Sequence, residues 1–367
     1  MKHQVQVDEE YDKLIRPILV ISKLIAVWPL KEDRPFSATV FRICHVVFLL
    51  FMLLSMSIAM TIHASYKMDD VDEMTELILS CCVCYLSLIR VVVFSIHQKE
   101  MLYVIETMRN DWIGSSYEER AILRNKCLFA YRLAKCFITM VMGIATLFAL
   151  EPIFKTASPI FECLYFLDTI AGLSTVCTIS SATSFNLVAV IHGSAKFAIL
   201  QRRLETVNRN DPDIDRVIVN CIRRHQDAIA FADALESVLN LLALGQFVLS
   251  IGLVCFAGFQ ITSMLQNKVQ CLKYSGFLCA TILELFMFSS SGNELIIESD
   301  AVSESAYRSD WIGGTFSRSL HIMMIRSRIP SRVTVGKFCD VSLRSFTQVL
   351  STSFSYLMVL LTAMSEE

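Results

Sequence analysis

Long apolar stretches dominate the hydropathy pattern of this chain. Seven windows of mostly apolar residues each reach the roughly 20 residues that an α-helix needs to cross about 30 Å of hydrocarbon. They are Phe41–Ile62, Thr75–His97, Phe129–Leu150, Ile170–His192, Leu239–Leu265, Tyr274–Ile297 and Gly336–Met364. The pattern predicts an all-α integral membrane protein with seven transmembrane helices.

Composition agrees with lipid as the surrounding solvent. Hydrophobic residues make up 54% of the chain and charged residues 19%, against about 45–50% and about 25% in typical soluble domains. The net charge of -2 gives no reason to expect a nucleic-acid partner. Thirteen cysteines, an odd number, lie mostly inside apolar runs, which is typical of small buried side chains rather than a disulfide framework.

The Lys and Arg residues of the connecting segments predict the orientation. The amino-terminal tail and the second, fourth and sixth loops are rich in them, whereas the first and third loops carry only Lys67 and Lys155. Because cytoplasmic loops carry the excess of positive charge, the amino terminus is predicted to be cytoplasmic and the carboxy terminus extracellular. G-protein-coupled receptors have the opposite orientation, and their Asp-Arg-Tyr and Asn-Pro-x-x-Tyr motifs are missing at the expected places. No G protein is therefore expected as a partner.

The windows divide the chain into three predicted segments. Residues 1–40 form a cytoplasmic amino-terminal segment, residues 41–298 the first six helices, and residues 299–367 a cytoplasmic helix and the seventh span. Residues Asn220–Asn240 place apolar side chains at near-helical spacing, which predicts a cytoplasmic extension of span five. Residues Ala301–Arg328 are predicted as a second such helix. Their apolar faces need partners, either within the subunit or on a neighbouring one.

Motifs for catalysis and metal binding are missing from the sequence. The seven histidines are scattered without metal-ligand spacing on one helix face. Cys81 and Cys84 form a C-x-x-C inside an apolar span, where packing is the better interpretation. The chain has no G-x-S-x-G, P-loop or dinucleotide fingerprint. The sequence predicts no enzyme activity, no cofactor and no metal site.

Two ionisable residues within the spans need an explanation, because charges are costly in hydrocarbon. Arg90 lies toward the predicted cytoplasmic end of span two, and we expect it to reach the interface by extending its side chain. Glu284 lies midway along span six and must be neutral, paired or facing water. Its role, a structural hydrogen bond or the handling of a ligand or ion, is left open by the sequence.

The last span carries two stripes at helical spacing. One stripe combines hydroxyls with a single valine and ends in an acid: Thr352, Ser355, Val359, Thr362 and Glu366. The other is wholly apolar: Leu350, Phe354, Leu357, Leu361 and Met364. Hydroxyls on a membrane helix commonly serve helix packing. The alternative is a pore lined by the hydroxyl stripe and closed by dewetting at Val359, which requires several subunits around an axis.

Residues 292–360 closely resemble the carboxy-terminal third of insect odorant receptors. The matching runs are Gly292–Ile296, Ser303–Trp311, Met323–Pro330 and Ser355–Leu360, with weaker matches at Trp28–Pro29, Asp111–Trp112 and His225–Glu236. The resemblance implies an odorant-gated, non-selective cation channel in the plasma membrane of sensory neurons. It also implies a heterotetramer of an odorant-specific subunit with a shared co-receptor, and a small volatile ligand.

The resemblance also implies roles for particular residues. The last helix resembles that of the co-receptor without gaps, which puts Val359 on the family's gating valine and Thr362 where the co-receptor has a glutamine. The loop between spans four and five is much shorter here than in the co-receptor, which favours an odorant-specific subunit. Gustatory receptors are the alternative, although this chain keeps only Tyr356 of their carboxy-terminal pattern, with Ser355 a near match.

Candidate binding residues follow from depth in the bundle and from the family's organisation. For the ligand they are Cys82, Tyr85, Met140, Gly143, Leu147, Thr175, Leu278 and Thr281, each of which is also explained by helix packing. For an inter-subunit anchor they are Trp311, Phe316, Phe338, Leu343 and Phe346. For the pore they are Thr352, Ser355, Thr362 and Glu366, with Val359 as the gate.

Overall fold

The computed structural model describes residues 2–25, 29, 35–66, 71–150 and 159–365, and nearly all of them are helical. The order of elements is α1 (Lys2–Leu24), α2 (Phe36–Tyr66), α3 (Val71–Ile96), α4 (Gln98–Gly114), α5 (Tyr117–Leu150), α6 (Pro159–Glu205), α7 (Ile214–Ser263), α8 (Lys268–Arg308), α9 (Ser317–Ser327), β1 (Thr334–Val335), β2 (Cys339–Asp340) and α10 (Leu343–Ser365).

Seven of these helices, α2, α3, α5, α6, α7, α8 and α10, are long and apolar enough to cross a membrane. The predicted all-α, seven-span fold is therefore confirmed. The most apolar part of α6 is 72% buried, whereas the corresponding part of α2 is 17% buried and that of α10 only 11%. Helix α6 thus lies at the centre of the bundle, while α2 and α10 lie at its periphery.

Several spans continue well beyond the apolar windows. The predicted extension of span five is confirmed, because α7 begins at Ile214 and buries Phe231, Leu235 and Val238. Helix α8 likewise continues without a break past residue 298, where the predicted segments divide, and ends at Arg308. Helix α5 begins at Tyr117, well before the predicted Phe129, and α6 continues beyond the predicted His192 to Glu205.

Helices α1 and α4 were also missed, since neither is long and apolar enough to span. Helix α4 nevertheless has a helical signal, because it buries Met101, Val104, Met108 and Trp112 at steps of three and four. Tyr11 of α1 packs against Trp112 with ring centroids 6.0 Å apart. These amphipathic helices cover the ends of the longer ones.

The segment Ala301–Arg328 is not the single helix that its sequence pattern predicts. Helix α8 ends at Arg308, and α9 begins at Ser317. The connection between them includes Gly313 at a φ of 80°, a left-handed conformation that a continuing helix does not contain.

The predicted start of span seven at Gly336 is wrong, because residues 334–340 form a two-stranded antiparallel hairpin. Gly336 and Lys337 have φ values of 55° and 68°, and the Phe338 N–H donates to the Val335 carbonyl at 3.0 Å. Two successive positive φ values are typical of a tight hairpin turn. A Cβ atom at Gly336 would lie 2.9 Å from Leu244 of α7, so the turn also needs a residue without a side chain.

Ion pairs connect the extended helix ends on one side of the bundle. Lys126 of α5 binds Glu298 of α8 at 2.6 Å. Glu119 of α5 binds Arg203 of α6 at 2.5 Å and Arg224 of α7 at 3.1 Å. We call this region, with α4, α9 and the hairpin, the charged half, and the opposite region, where α3, α6 and α8 begin, the cavity half.

Candidate functional site

The cavity half contains an open-mouthed cavity of about 300 Å³ among α2, α3, α5, α6, α7 and α8. This volume lies at the lower end of the range of small-molecule sites. The walls are mostly apolar, and include Met56, Met60, Leu79, Val83, Leu86, Phe137, Val141, Phe148, Leu173, Val176, Ile179, Leu253, Tyr274 and Phe277. Such walls favour a small apolar molecule through burial of its surface.

Two of the eight candidate ligand residues, Thr175 and Thr281, line this cavity, and both side chains are buried. The hydroxyl hydrogen of Thr175 is donated to the Ala171 carbonyl, and that of Thr281 to the Phe277 carbonyl. Only the lone pairs of these hydroxyls are therefore free to meet a ligand.

The other six candidates lie outside the cavity lining, and helical phase explains most of the difference. On α5 the candidates were Met140, Gly143 and Leu147. The residues of α5 that line the cavity are Phe137, Val141, Ile144, Ala145 and Phe148. Each candidate precedes a lining residue by one position, and one residue rotates a helix face by about 100°.

The same displacement affects α3 and α8. Cys82 and Leu278 lie next to the lining residues Val83 and Phe277, and pack in the same small apolar cluster without lining the cavity themselves. Tyr85 is 38% exposed, and its hydroxyl lies 3.1 Å from that of Thr61 on α2. On α3, α5 and α8 these candidates thus lie one position away from a lining residue, on a different side of the helix.

The floor of the cavity is formed by Glu284, which belongs to a buried ion pair. Arg90 of α3 and Glu284 of α8 are only 1% and 6% exposed, and the Arg90 Nη2 lies 2.6 Å from Glu284 Oε1. Arg90 also donates to Gln246 of α7, and Thr183 of α6 donates to Glu284 Oε1 at 2.5 Å. The expectation that Arg90 extends to the interface is wrong, because its charge is balanced inside the bundle.

The mouth of the cavity carries a second cation. Lys273 of α8 lies 3.0 Å from Glu76 of α3, and its Nζ lies 4.3 Å from the ring centroid of Phe148. The ring of Tyr274 is 5.1 Å away. Aromatic faces attract a cation, so these contacts hold the ends of α3, α5 and α8 together around the opening.

Helix α10 packs on α7 and α8 through one face. Val349 and Ser353 are buried, and a Cβ at Gly258 of α7 would lie 2.7 Å from Leu357. The absence of a side chain at Gly258 thus lets α10 approach α7 closely. Phe354, from the predicted apolar stripe, is 49% exposed, so the buried face is rotated from that stripe.

The hydroxyl stripe lies on the outer side of α10. Val359 is 67% exposed, Ser355 and Thr362 are exposed, and Thr352 is partly buried. Val359 is two residues beyond Leu357 and therefore about 200° around the helix from it. Glu366 lies outside the described residues. Among the described residues of the stripe, Ser355, Val359 and Thr362 are therefore exposed on this subunit.

The anchor candidates divide into two groups. Phe338 and Leu343 are 85% and 39% exposed, and are available for contact with another chain. Phe316 is 5% exposed and belongs to the core of its own subunit, and Trp311 is partly buried against that core. The ring of Phe346 lies 5.8 Å from that of Phe286, so it is partly used within the chain.

Several known proteins resemble this chain in sequence or in fold. Odorant receptor 13a of Drosophila melanogaster is 22% identical over 95% of this chain and 96% of the relative. Odorant receptor 10 of Aedes albopictus is 25% identical over 55% of this chain and 56% of the relative. The chain is also similar in fold to the insect olfactory receptor OR5 from Machilis hrabei, solved in complex with eugenol, with a TM-score of 0.85 at 16% identity, covering 97% of this chain and 99% of that one.

A family model described as "7tm Odorant receptor" matches residues 70–354, which is most of the chain. The match includes α3, α5, α6, α7 and α8 of the cavity and the first half of α10. It gives no support to the gustatory alternative, and it agrees with the prediction that the chain is not an enzyme. The chain belongs to the seven-transmembrane odorant receptor family.

Proposed function

We propose that the chain is the odorant-specific subunit of a ligand-gated, non-selective cation channel. A small volatile molecule binds in the cavity among α2, α3, α5, α6, α7 and α8. Its binding opens a central pore that α10 lines in a heterotetramer with the odorant receptor co-receptor. The amino terminus lies in the cytoplasm, and the channel lies in the plasma membrane of sensory neurons.

The outer face of α10 is the observation that carries this proposal. Hydroxyls that face outward from a subunit are costly against lipid but suit a water-filled passage. The hydroxyl hydrogens are donated to backbone carbonyls of the same helix, from Ser355 to the Ser351 carbonyl and from Thr362 to the Met358 carbonyl. Hydroxyl lone pairs can coordinate a cation, as we infer for exposed Ser355, while exposed Val359 provides the apolar constriction.

The cavity supplies the second requirement, a site apart from the pore face. A ligand shifts a channel only by binding its open form better than its closed form. The cavity is lined by α7 and α8, the same helices on which α10 packs. A change in the spacing of α7 and α8 therefore reaches α10 directly.

Co-expression tests the proposal. We expect the chain and the co-receptor together to give cation currents that volatile molecules evoke and that the co-receptor alone does not give. Saturable flux without channel current would indicate a transporter instead. Surface-exposed protein with neither current nor flux would leave only a structural role.

A further inference from the structure

Glu284 gives the floor of the cavity a polar character that the apolar walls lack. Tyr274 lies near the mouth, and Glu284 lies about 15 Å further along α8 at the helical rise of 1.5 Å per residue. Both residues line the same space. A molecule inserted from the mouth would therefore meet the Glu284 carboxylate with its leading end.

One oxygen of this carboxylate is already used. Arg90 Nη2 and Thr183 Oγ1 both donate to Oε1, at 2.6 Å and 2.5 Å. Oε2 accepts no hydrogen bond from any residue within the described ranges, and Glu284 borders the cavity. An acceptor in such a site is costly without a donor, so Oε2 favours a ligand that supplies one.

The neighbouring hydroxyls strengthen this requirement. Thr175 and Thr281 donate their hydrogens to carbonyls of their own helices, so they too present lone pairs to the cavity. A ligand that can only accept hydrogen bonds, such as an ether, finds no donor at these two threonines or at Glu284.

The charge balance of the cavity floor limits which kind of hydrogen-bond donor the ligand can carry. Arg90 and Glu284 together carry no net charge, so the floor gives a cationic amine little net attraction. An amine would also lose the hydration of its charge on entering the cavity, which is unfavourable. A neutral hydroxyl group donates to Oε2 without that cost.

We propose that the cavity selects small volatile molecules with an apolar body and one terminal hydroxyl group, namely primary alcohols or phenols, whose O–H donates to Glu284 Oε2. This inference rests on the proposed function of the cavity as the ligand site. The apolar walls hold the body of the molecule, and the floor recognises its hydroxyl.

Matched probes test the selection on the unaltered subunit. We expect hexanol to activate the co-expressed channel at a concentration about tenfold or more below those of methyl pentyl ether and hexylamine, as one hydrogen bond to a charged group implies. Phenol and anisole should differ in the same direction. Equal potency of alcohol and ether would overturn the inference.

Paired variants identify the group that recognises the hydroxyl. Glu284→Gln alone leaves Arg90 charged and unpaired, and is a poor test because the protein can fail to fold. Arg90→Met with Glu284→Leu replaces the whole pair by apolar side chains of similar size, a change that proteins often tolerate. We expect this double variant to respond to the ether and to lose the preference for the alcohol.

Glu294→Gln is the matched control. It makes the same change on the same helix at a carboxylate that binds Lys126 at 2.6 Å in the charged half, away from the cavity. It should retain the alcohol-to-ether ratio. A full alcohol preference in the double variant would move recognition to another lining group, such as Ser80, and overturn the assignment to Glu284.

Thermal stability of the purified subunit separates failure of this inference from failure of the proposed function. A ligand that binds the folded state raises its melting temperature. Stabilisation by hexanol over methyl pentyl ether, without any evoked current, would support the selectivity and refute the channel function. Evoked currents and stabilisation that are the same for both probes would refute the selectivity alone.

Discussion

The two halves of the bundle are stabilised by different interactions. In the charged half, salt bridges such as Lys126–Glu298 and Glu119–Arg203 join helices that are distant in sequence. In the cavity half, mostly apolar walls surround a space of about 300 Å³. Packing that leaves such a space gives up dispersion contacts, so the cavity half has stability to gain from a ligand and the charged half provides a fixed base.

The Arg90–Glu284 pair lies where the two halves meet. With Gln246 and Thr183, it connects α3, α6, α7 and α8 by side chains that are all nearly fully buried. These four helices border the cavity. The pair is therefore a structural link, and its Glu284 also forms the floor of the candidate binding site.

Breaking this link should have the largest effect. Arg90→Met leaves the Glu284 charge buried without its cation, which typically costs about 3–5 kcal/mol. We expect little folded protein, measured as the monodisperse fraction after detergent extraction. The double variant Arg90→Met with Glu284→Leu should recover most of it. Equal losses in the two variants would show that the pair does not act as a unit.

Filling the cavity should have the next largest effect, without loss of the fold. Ala280 lines the cavity, whereas the adjacent Cys279 is exposed on another side of α8. Ala280→Leu adds three carbons to the space and should raise the half-maximal odorant concentration about tenfold, at about 1.4 kcal/mol per factor of ten.

Cys279→Leu is the control for Ala280→Leu, and dose–response curves on the co-expressed channel compare the two. The control should leave odorant sensitivity close to that of the unaltered subunit. A larger loss for Cys279→Leu would mean that the helical phase of α8 has been assigned to the wrong face.

The outer face of α10 allows a third test, apart from either half. Val359→Ala removes two methyl groups from the proposed constriction and should raise the resting current several-fold. Val349→Ala makes the same change on the buried face and should lower the amount of folded protein without raising the current per channel. Unchanged resting and evoked currents in Val359→Ala would contradict the gate.

Acid sensitivity of the charged half should give the smallest effect. Asp111 of α4 binds Lys196 at 2.6 Å and His192 at 3.1 Å. Burial alone raises the pKa of this carboxyl, but the hydrogen bonds and charges of His192 and Lys196 outweigh burial and lower the pKa overall. The resulting stability is present above the unfolded pKa of about 3.9 and is lost as the pH falls through the lower folded value.

Asp111→Asn should therefore reduce thermal stability at pH 7, by about 1–3 kcal/mol for loss of a charged hydrogen-bonding group. The difference from the unaltered subunit should shrink as the pH falls through the folded pKa. Asp310→Asn is the control, since its carboxyl is 48% exposed and 3.6 Å from Arg209. A difference that stayed constant with pH would exclude ionisation of Asp111 as the cause.

The sequence predicted the spans well because lipid imposes one simple requirement on length and polarity. It also predicted the α7 extension, because apolar side chains between Asn220 and Asn240 recur at helical spacing. It did not predict which side of α5 faces the cavity, because in a membrane both the lipid side and the protein side are apolar. Met140 and Val141 are equally suitable by composition, and only packing distinguishes them.

Arg90 shows a second limit of sequence reasoning. Its partner Glu284 is 194 positions away, and no local pattern connects the two. The sequence did contain one signal, because a single charged residue inside a span is energetically costly. Such a residue predicts a partner of opposite charge elsewhere in the bundle. The hairpin at residues 334–340 could have been predicted from the sequence, because Gly336 lies between short runs of β-branched and aromatic residues, a pattern typical of a hairpin turn.

The small buried fraction of α10 has a consequence for how the protein is exported. Only 11% of its apolar window is buried by its own chain. In a single subunit, the polar atoms on the exposed face of α10 would therefore contact lipid. We expect cells to retain unassembled subunits in the endoplasmic reticulum until a partner subunit covers this face of α10. Surface labelling with and without the co-receptor would detect this dependence, making export itself a report of completed assembly.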